Sequence, residues 1–88
     1  MKKLPTQVIE VEGGLVELLG KRVTFFCLNY IYVGTLTGVN DTCVELTDPA
    51  IVYETGKFSD ESYKDEQSLN VPKFFISLGC IESFGEFK

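Results

Sequence analysis

The chain has 88 residues, 44% of them hydrophobic, and a formal net charge of −5. That length is one domain, that hydrophobic share excludes a disordered chain, and no apolar run approaches the ~18–20 residues of a membrane-spanning helix. The negative balance removes the phosphate attraction that supplies most non-specific nucleic-acid affinity.

A domain this small buries only ~60–65% of its unfolded surface, and oligomerisation is a common remedy for a small core. At the start, Met1, Lys2, Lys3, Leu4 and Pro5 are basic but lead into Gln7 and Glu10 rather than an apolar signal core, so the expected setting is cytoplasmic. Residues 8–11 alternate like a short strand or extended arm, and Gly13 and Gly14 break them. Leu15, Leu18 and Leu19 then fall at i, i+3 and i+4 with Gly20 behind them, which predicts a short helical turn with a glycine cap. One or two turns are not stable alone, so this piece must pack on something.

Residues 21–28 are rich in β-branched and aromatic types and predict a first strand, with a turn at Asn29 and Tyr30. Residues 31–39 predict a second strand, interrupted by Gly34 and Gly38. Glycine inside a strand marks a bend, a bulge or close backbone approach, and a small barrel needs such bends. Asn40 and Asp41 predict a tight turn, because both side chains tolerate positive φ and bond locally. Residues 42–47 alternate, with Val44 and Leu46 on one face; Asp48 and Pro49 bend the chain, and residues 50–53 continue it.

Residues 55–70 read as a polar loop dispensable for folding, and the stretch 54–66 carries a local charge of −3. Within it Tyr63 lacks apolar neighbours in sequence, which suggests an exposed side chain or a contact for a partner. Residues 73–78 form a dense apolar strand, Gly79 and Cys80 a very short connection, and residues 81–84 a last strand. Ile81 and Phe84 are three apart, so both point inward only if that strand twists or bulges. The expected fold is mainly β: a short N-terminal helix and a strongly bent five-stranded barrel over about residues 15–84, inside a single domain of 1–88.

Little in the chain points to catalysis. There is no His, the serines lack an evident base, and the carboxylates concentrate in a solvated segment. Cys27, Cys43 and Cys80 are odd in number with no C-x-x-C spacing, so no metal and no disulfide framework is expected, only small buried hydrophobes. No cofactor is implied. Lys21 and Arg22 are candidate phosphate contacts or a solvated basic pair. Tyr30, Tyr32 and Phe26 are candidate base-stacking residues, or core and subunit interface. Phe74, Phe75 and Ile76 make a strand apolar on both faces, as expected inside an assembly rather than at a wet edge.

The run from Gly20, Lys21, Arg22 and Val23 through Gly34-x-Leu36-x-Gly38, Val39 and Asn40, followed by Val44 and Leu46, resembles the first signature of the Sm/LSm-like family. Phe75, Ile76, Ser77, Leu78, Gly79, Cys80 and Ile81 resemble its second signature. The resemblance implies a leading helix, an Sm-like (SH3-like) barrel, and homo-oligomeric rings in which the fourth strand of one subunit pairs with the fifth of the next. Phe74, Phe75, Ile76, Ile81 and Phe84 would then form the subunit interface. It also implies single-stranded RNA at the pore, with Asn40, Asp41 and Gly79 at the pocket and Lys21 and Arg22 toward phosphate.

This chain departs from the pattern. Asn40 stands where an acidic residue is usual, Cys43 or Val44 where an Asn is usual, and Leu78 where an Arg is usual. Leu78 supplies neither hydrogen bonds nor a guanidinium plane to a base. The expectation is therefore an RNA-binding ring with a degenerate pocket, or else a structural or protein-interaction ring that has lost RNA binding. A peptide-binding SH3-type barrel would need an aromatic groove, and the chain has no Trp.

Overall fold

A computed structural model describes residues 13–88. The expected arm at residues 8–11, with Lys2 and Lys3, lies outside the described residues. The chain runs from a 3-10 turn, Gly14–Leu18, into six strands: β1 (Arg22–Cys27), β2 (Ile31–Val39), β3 (Cys43–Glu54), β4 (Asp65–Ser68), β5 (Phe74–Ser77) and β6 (Ile81–Gly85). A second 3-10 turn, Leu78–Cys80, joins β5 to β6. All pairings are antiparallel, in the order β4-β3-β2-β1-β6, with β5 on the same edge of β3 as β4.

The mainly β expectation holds, with three differences. The N-terminal helix is only a five-residue 3-10 turn. Gly13 and Gly14 enter it at φ 86° and 48°, and so short a piece cannot repay the cost of nucleating an α-helix. Leu15 and Leu18 still pack on the core, and Gly20, at φ 85°, turns the chain so that its N–H donates to Leu36 O at 2.7 Å. The second difference is a sixth strand. The third is that, among the described residues, no ladder joins β6 to β4 or β5, so the sheet does not close into a barrel.

β3 explains the architecture. Its first half carries Val44 and Leu46 into one core with Val23, Phe25, Leu36 and Ile76. Its second half carries Ala50 and Val52 into another with Val33 and Tyr63. Between them Asp48 sits at φ 51° before the buried Pro49, and the strand turns from one core to the other. The register of β2 against β3 shifts twice, between Val33 and Thr35 and between Leu36 and Gly38. β5 pairs with the first half of β3, β4 with the second.

Gly34 faces this bend. A β-carbon there would lie 3.1 Å from Thr47 O and 3.2 Å from Leu46 Cβ, tighter than ordinary packing allows. At Gly38 the closest approach is 3.4 Å, so the second glycine is not held by close packing. β1 lies between the two cores: Val23 and Phe25 point into the first, while Thr24 reaches the other side to bond Tyr63.

The polar segment 55–70 is more than the loop the sequence predicts. β4 pairs with β3 from Ala50 to Glu54, and Tyr63 is only 6% exposed. The Tyr63 hydroxyl and the Thr24 hydroxyl share a buried hydrogen bond of 2.5 Å. Lys88 Nζ donates to Thr55 O at 3.0 Å and Lys57 O at 2.7 Å and lies 4.8 Å from the Tyr63 ring centre. The charge of the segment hid this: an edge strand needs only its backbone to pair, and its side chains stay wet.

The last strand bulges, but the bulge brings only one of its two large apolar residues inward. Cys27 faces Ile81 and Phe26 faces Ser83, a register shift of one residue. Ile81 thus reaches the first core, whereas Phe84 stays 40% exposed with its ring 6.2 Å from that of Phe25.

Two substitutions test this arrangement. Gly34→Val is expected to cost about 1–3 kcal/mol, as overpacking does, read from denaturant unfolding. Tyr63→Phe is expected to cost about 1–3 kcal/mol by leaving the Thr24 hydroxyl buried and unpartnered. Unchanged midpoints for Tyr63→Phe would mean the segment 55–70 does not hold the second core together.

Candidate nucleic-acid and assembly surfaces

The tight turn at Asn40 is built by its own side chain. Asn40 Oδ1 accepts from Thr42 N at 2.8 Å, Cys43 N at 2.9 Å and Thr42 Oγ1 at 3.1 Å, and Asn40 N donates to Cys43 O at 3.0 Å. Asp41 is exposed at the tip. This turn abuts the β5–β6 connection, because Leu78 N donates to Thr42 O at 2.8 Å and Cys43 pairs with Ser77. The structure therefore brings Asn40, Asp41 and Gly79 to one end of the sheet. Their bonding capacity there is largely engaged: Asn40 Oδ1 has three donors, and Gly79 N donates to Ser77 Oγ at 3.3 Å. Leu78 packs half-buried against the first core.

Lys21 and Arg22 lie elsewhere. Arg22 pairs across the ladder with Thr35, five residues before Asn40 on β2, or up to roughly 16 Å of strand. Its guanidinium is occupied: Nη2 donates to Glu66 Oε2 at 2.9 Å and Oε1 at 3.2 Å, and Nε to the backbone oxygen of Lys88 at 3.2 Å. Lys21 O accepts from Leu36 N at 2.9 Å, with its side chain exposed. The basic pair and the turn do not form one site on this chain.

The five apolar residues assigned to assembly also divide. Ile76 is buried in this chain's own core, and Phe74 and Ile81 pack half-buried against it. Phe75 is 57% exposed and, with Phe84, is what the two strands present outward. Among the described residues each strand is laddered on one side only, β5 to β3 and β6 to β1. Opposite Phe75, Glu45 accepts from Thr37 Oγ1 at 2.8 Å and pairs with Lys73 at 3.3 Å. Those hydrogen bonds hold its carboxyl below the usual carboxylate range.

Two aromatic surfaces flank these elements. Beside β6, a cleft of about 340 Å³ is lined by Phe26, Ser83, Phe84, Gly85, Glu86 and Phe87. Phe87 meets Phe26 edge-on at 5.8 Å and stacks on Phe58 at 5.5 Å. At the β1–β2 turn, Tyr30 is 53% exposed and its ring lies 6.1 Å from that of Tyr32, which in turn lies 5.3 Å from Phe74. Of the three stacking candidates, only Tyr30 offers a largely free ring; Tyr32 and Phe26 are half-buried. Sequence reasoning missed Phe58 and Phe87, whose one signal was an aromatic residue set in a polar context. Among the described residues no group of His, Cys, Asp and Glu is arranged to hold a metal ion, and no helix is long and apolar enough to cross a membrane.

Asn40→Ala is expected to lose all three side-chain bonds of the turn and to cost on the order of 1–2 kcal/mol in unfolding free energy. Asn40→Asp, which keeps the acceptor oxygen, should cost much less, and equal losses for the two would remove the side chain's structural role. No family model, curated protein or solved structure matches this chain.

Proposed function

We propose that this chain is a subunit of a homo-oligomeric Sm-like ring in which β5 of one copy pairs with β6 of the next, with single-stranded RNA bound weakly at the end of the sheet that carries Asn40, Asp41 and Gly79. The observation that carries this reading is the state of the two edges. β5 and β6 are consecutive, three residues apart, and among the described residues each is laddered on one side only, with Phe75 and Phe84 exposed along them. Unpaired apolar edges template association, and pairing them with another copy removes the hazard. The resemblance of residues 20–40 and 75–81 to the two Sm/LSm signatures supports the same arrangement. Three free thiols fit a cytoplasmic setting.

RNA binding is weak in this reading for reasons of chemistry. The charge of −5 opposes phosphate, Leu78 offers a base no stacking plane, and Asn40 already holds three donors. Loss of one stacking partner is worth ~1–3 kcal/mol per base. A second reading, a ring that engages proteins and not RNA, is favoured by Arg22, whose guanidinium is bound to Glu66 rather than free for phosphate.

Light scattering of the purified protein at micromolar concentration should give a discrete oligomer, and Phe75→Lys should dissociate it. A monodisperse monomer of the unaltered protein would end the ring reading. Fluorescence anisotropy with oligo-U should give micromolar or weaker affinity that falls as salt rises, and Lys21→Glu should weaken it further. Nanomolar, salt-insensitive binding would contradict the degenerate pocket; no binding at low salt would leave the protein-interaction reading.

A further inference from the structure

Two of the three cysteines, far apart in sequence, meet in the fold. Cys27 ends β1 opposite Ile81, and the N–H of the next residue, Leu28, donates to Cys80 O at 3.2 Å. Cys80 closes the 3-10 turn and has not entered the alternation of β6, so its side chain packs on the same core as that of Cys27. The two side chains share one cleft, and Cys80 Sγ donates to Ser77 O at 3.2 Å. Both are free, both are half-buried, and both line a cleft of about 250 Å³ with Leu28, Asn29, Tyr30 and Tyr32. Cys43 does not line it; that residue sits on β3 opposite Ser77.

We infer that Cys27 and Cys80 form a reversible disulfide site, closed by exchange with a low-molecular-weight disulfide of the oxidised-glutathione class. A disulfide needs Cα atoms within about 7 Å and converging side chains; Cys27 lies opposite Ile81, the neighbour of Cys80, and the bond from Leu28 N to Cys80 O holds the two segments side by side with both cysteines on one cleft. In the first step one cysteine, as thiolate, attacks a sulfur of the small disulfide. The S–S bond of the oxidant breaks, a mixed disulfide forms on the protein, and one small thiolate leaves. In the second step the other cysteine loses its proton and attacks the protein-side sulfur, expelling the second small thiolate. The two protein thiols are oxidised by two electrons, the small disulfide is reduced to two thiols, and the two protons pass to water and the leaving groups.

Burial, and then the neighbouring Cys80, push the Cys27 thiol up to about 11. Little thiolate therefore forms at Cys27 at neutral pH, and a low thiolate fraction slows exchange. Placement on one cleft, with the two backbones held together, and not unusual acidity, is what the inference rests on. Once closed, the bond would tie the β1–β2 turn to the connection between β5 and β6.

The reduced full-length protein is incubated with oxidised glutathione, quenched in acid, alkylated under denaturing conditions and mapped by mass spectrometry. The expected product has lost two hydrogen masses, links the peptides of Cys27 and Cys80, leaves Cys43 alkylated, and returns to three free thiols with dithiothreitol. Cys27→Ser is expected to stop at a lasting glutathione adduct on Cys80. A wild-type protein that keeps glutathione on Cys27 or Cys80, links either to Cys43, or links only between chains would overturn the inference, as would three thiols that stay free.

Discussion

The close approach of β2 to β3 at Gly34 governs much of what surrounds it. There the backbone oxygen of Thr47 and the side chain of Leu46 come within reach of where a β-carbon would sit. One residue on, Asp48 takes a positive φ and Pro49 is buried, so β3 leaves one core and enters another. A strand that changes cores must bend, and its partner must follow at constant ladder spacing. β2 does so by shifting register on both sides of Leu36. Without a side chain at position 34, the two backbones turn together while Val33 and Leu36 fill opposite cores.

Two small cores in place of one large core change the role of the charged segment. Among the described residues the second core has Val33, Ala50, Val52 and Tyr63 as its buried members, so the tyrosine from that segment is a large share of it. Its hydroxyl finds Thr24, a polar residue fully buried on the central strand. Around this plug the surface is tied down by polar contacts: Arg22 to Glu66, and Lys88 to the carbonyls of Thr55 and Lys57. The exposed ion pair adds little to stability by itself. Its larger consequence is that the guanidinium is engaged by a carboxylate at the place where a phosphate contact was expected.

The surface chemistry thus divides between the two ends of the strands. At the Asn40 turn and the neighbouring Leu78–Cys80 connection, polar groups are turned inward to hold local backbone, and few are left for a ligand. Along β5 and β6 the reverse holds: among the described residues one backbone edge of each has no ladder partner, and the aromatic side chains of Phe75 and Phe84 stand out. These properties support the proposed pairing with another polypeptide edge over contact with a polyanion, as does the net charge of −5.

Strand existence was legible in the sequence because alternation and β-branched or aromatic content are local properties. Residues 21–28, 31–39 and 73–78 contain β1, β2 and β5, and the turns at Asn29 and Asn40 fall where their side chains favour them. Two residues three apart cannot both face one side of a regular strand; β6 does bulge, yet only Ile81 packs on the core while Phe84 stays exposed. What the sequence could not give was pairing between distant segments. β4 has no apolar pattern because its side chains stay in water, so only its ladder with β3 reveals it. Tyr63 has no apolar neighbour in sequence and becomes core through Val33, Ala50 and Val52. Cys27 and Cys80 are unremarkable in their own strands and meet because β6 returns beside β1. Local composition determined which segments extend and where they turn; the tertiary fold alone decided which side chains share a core, an ion pair or a cleft, because those depend on long-range closure that no local pattern encodes.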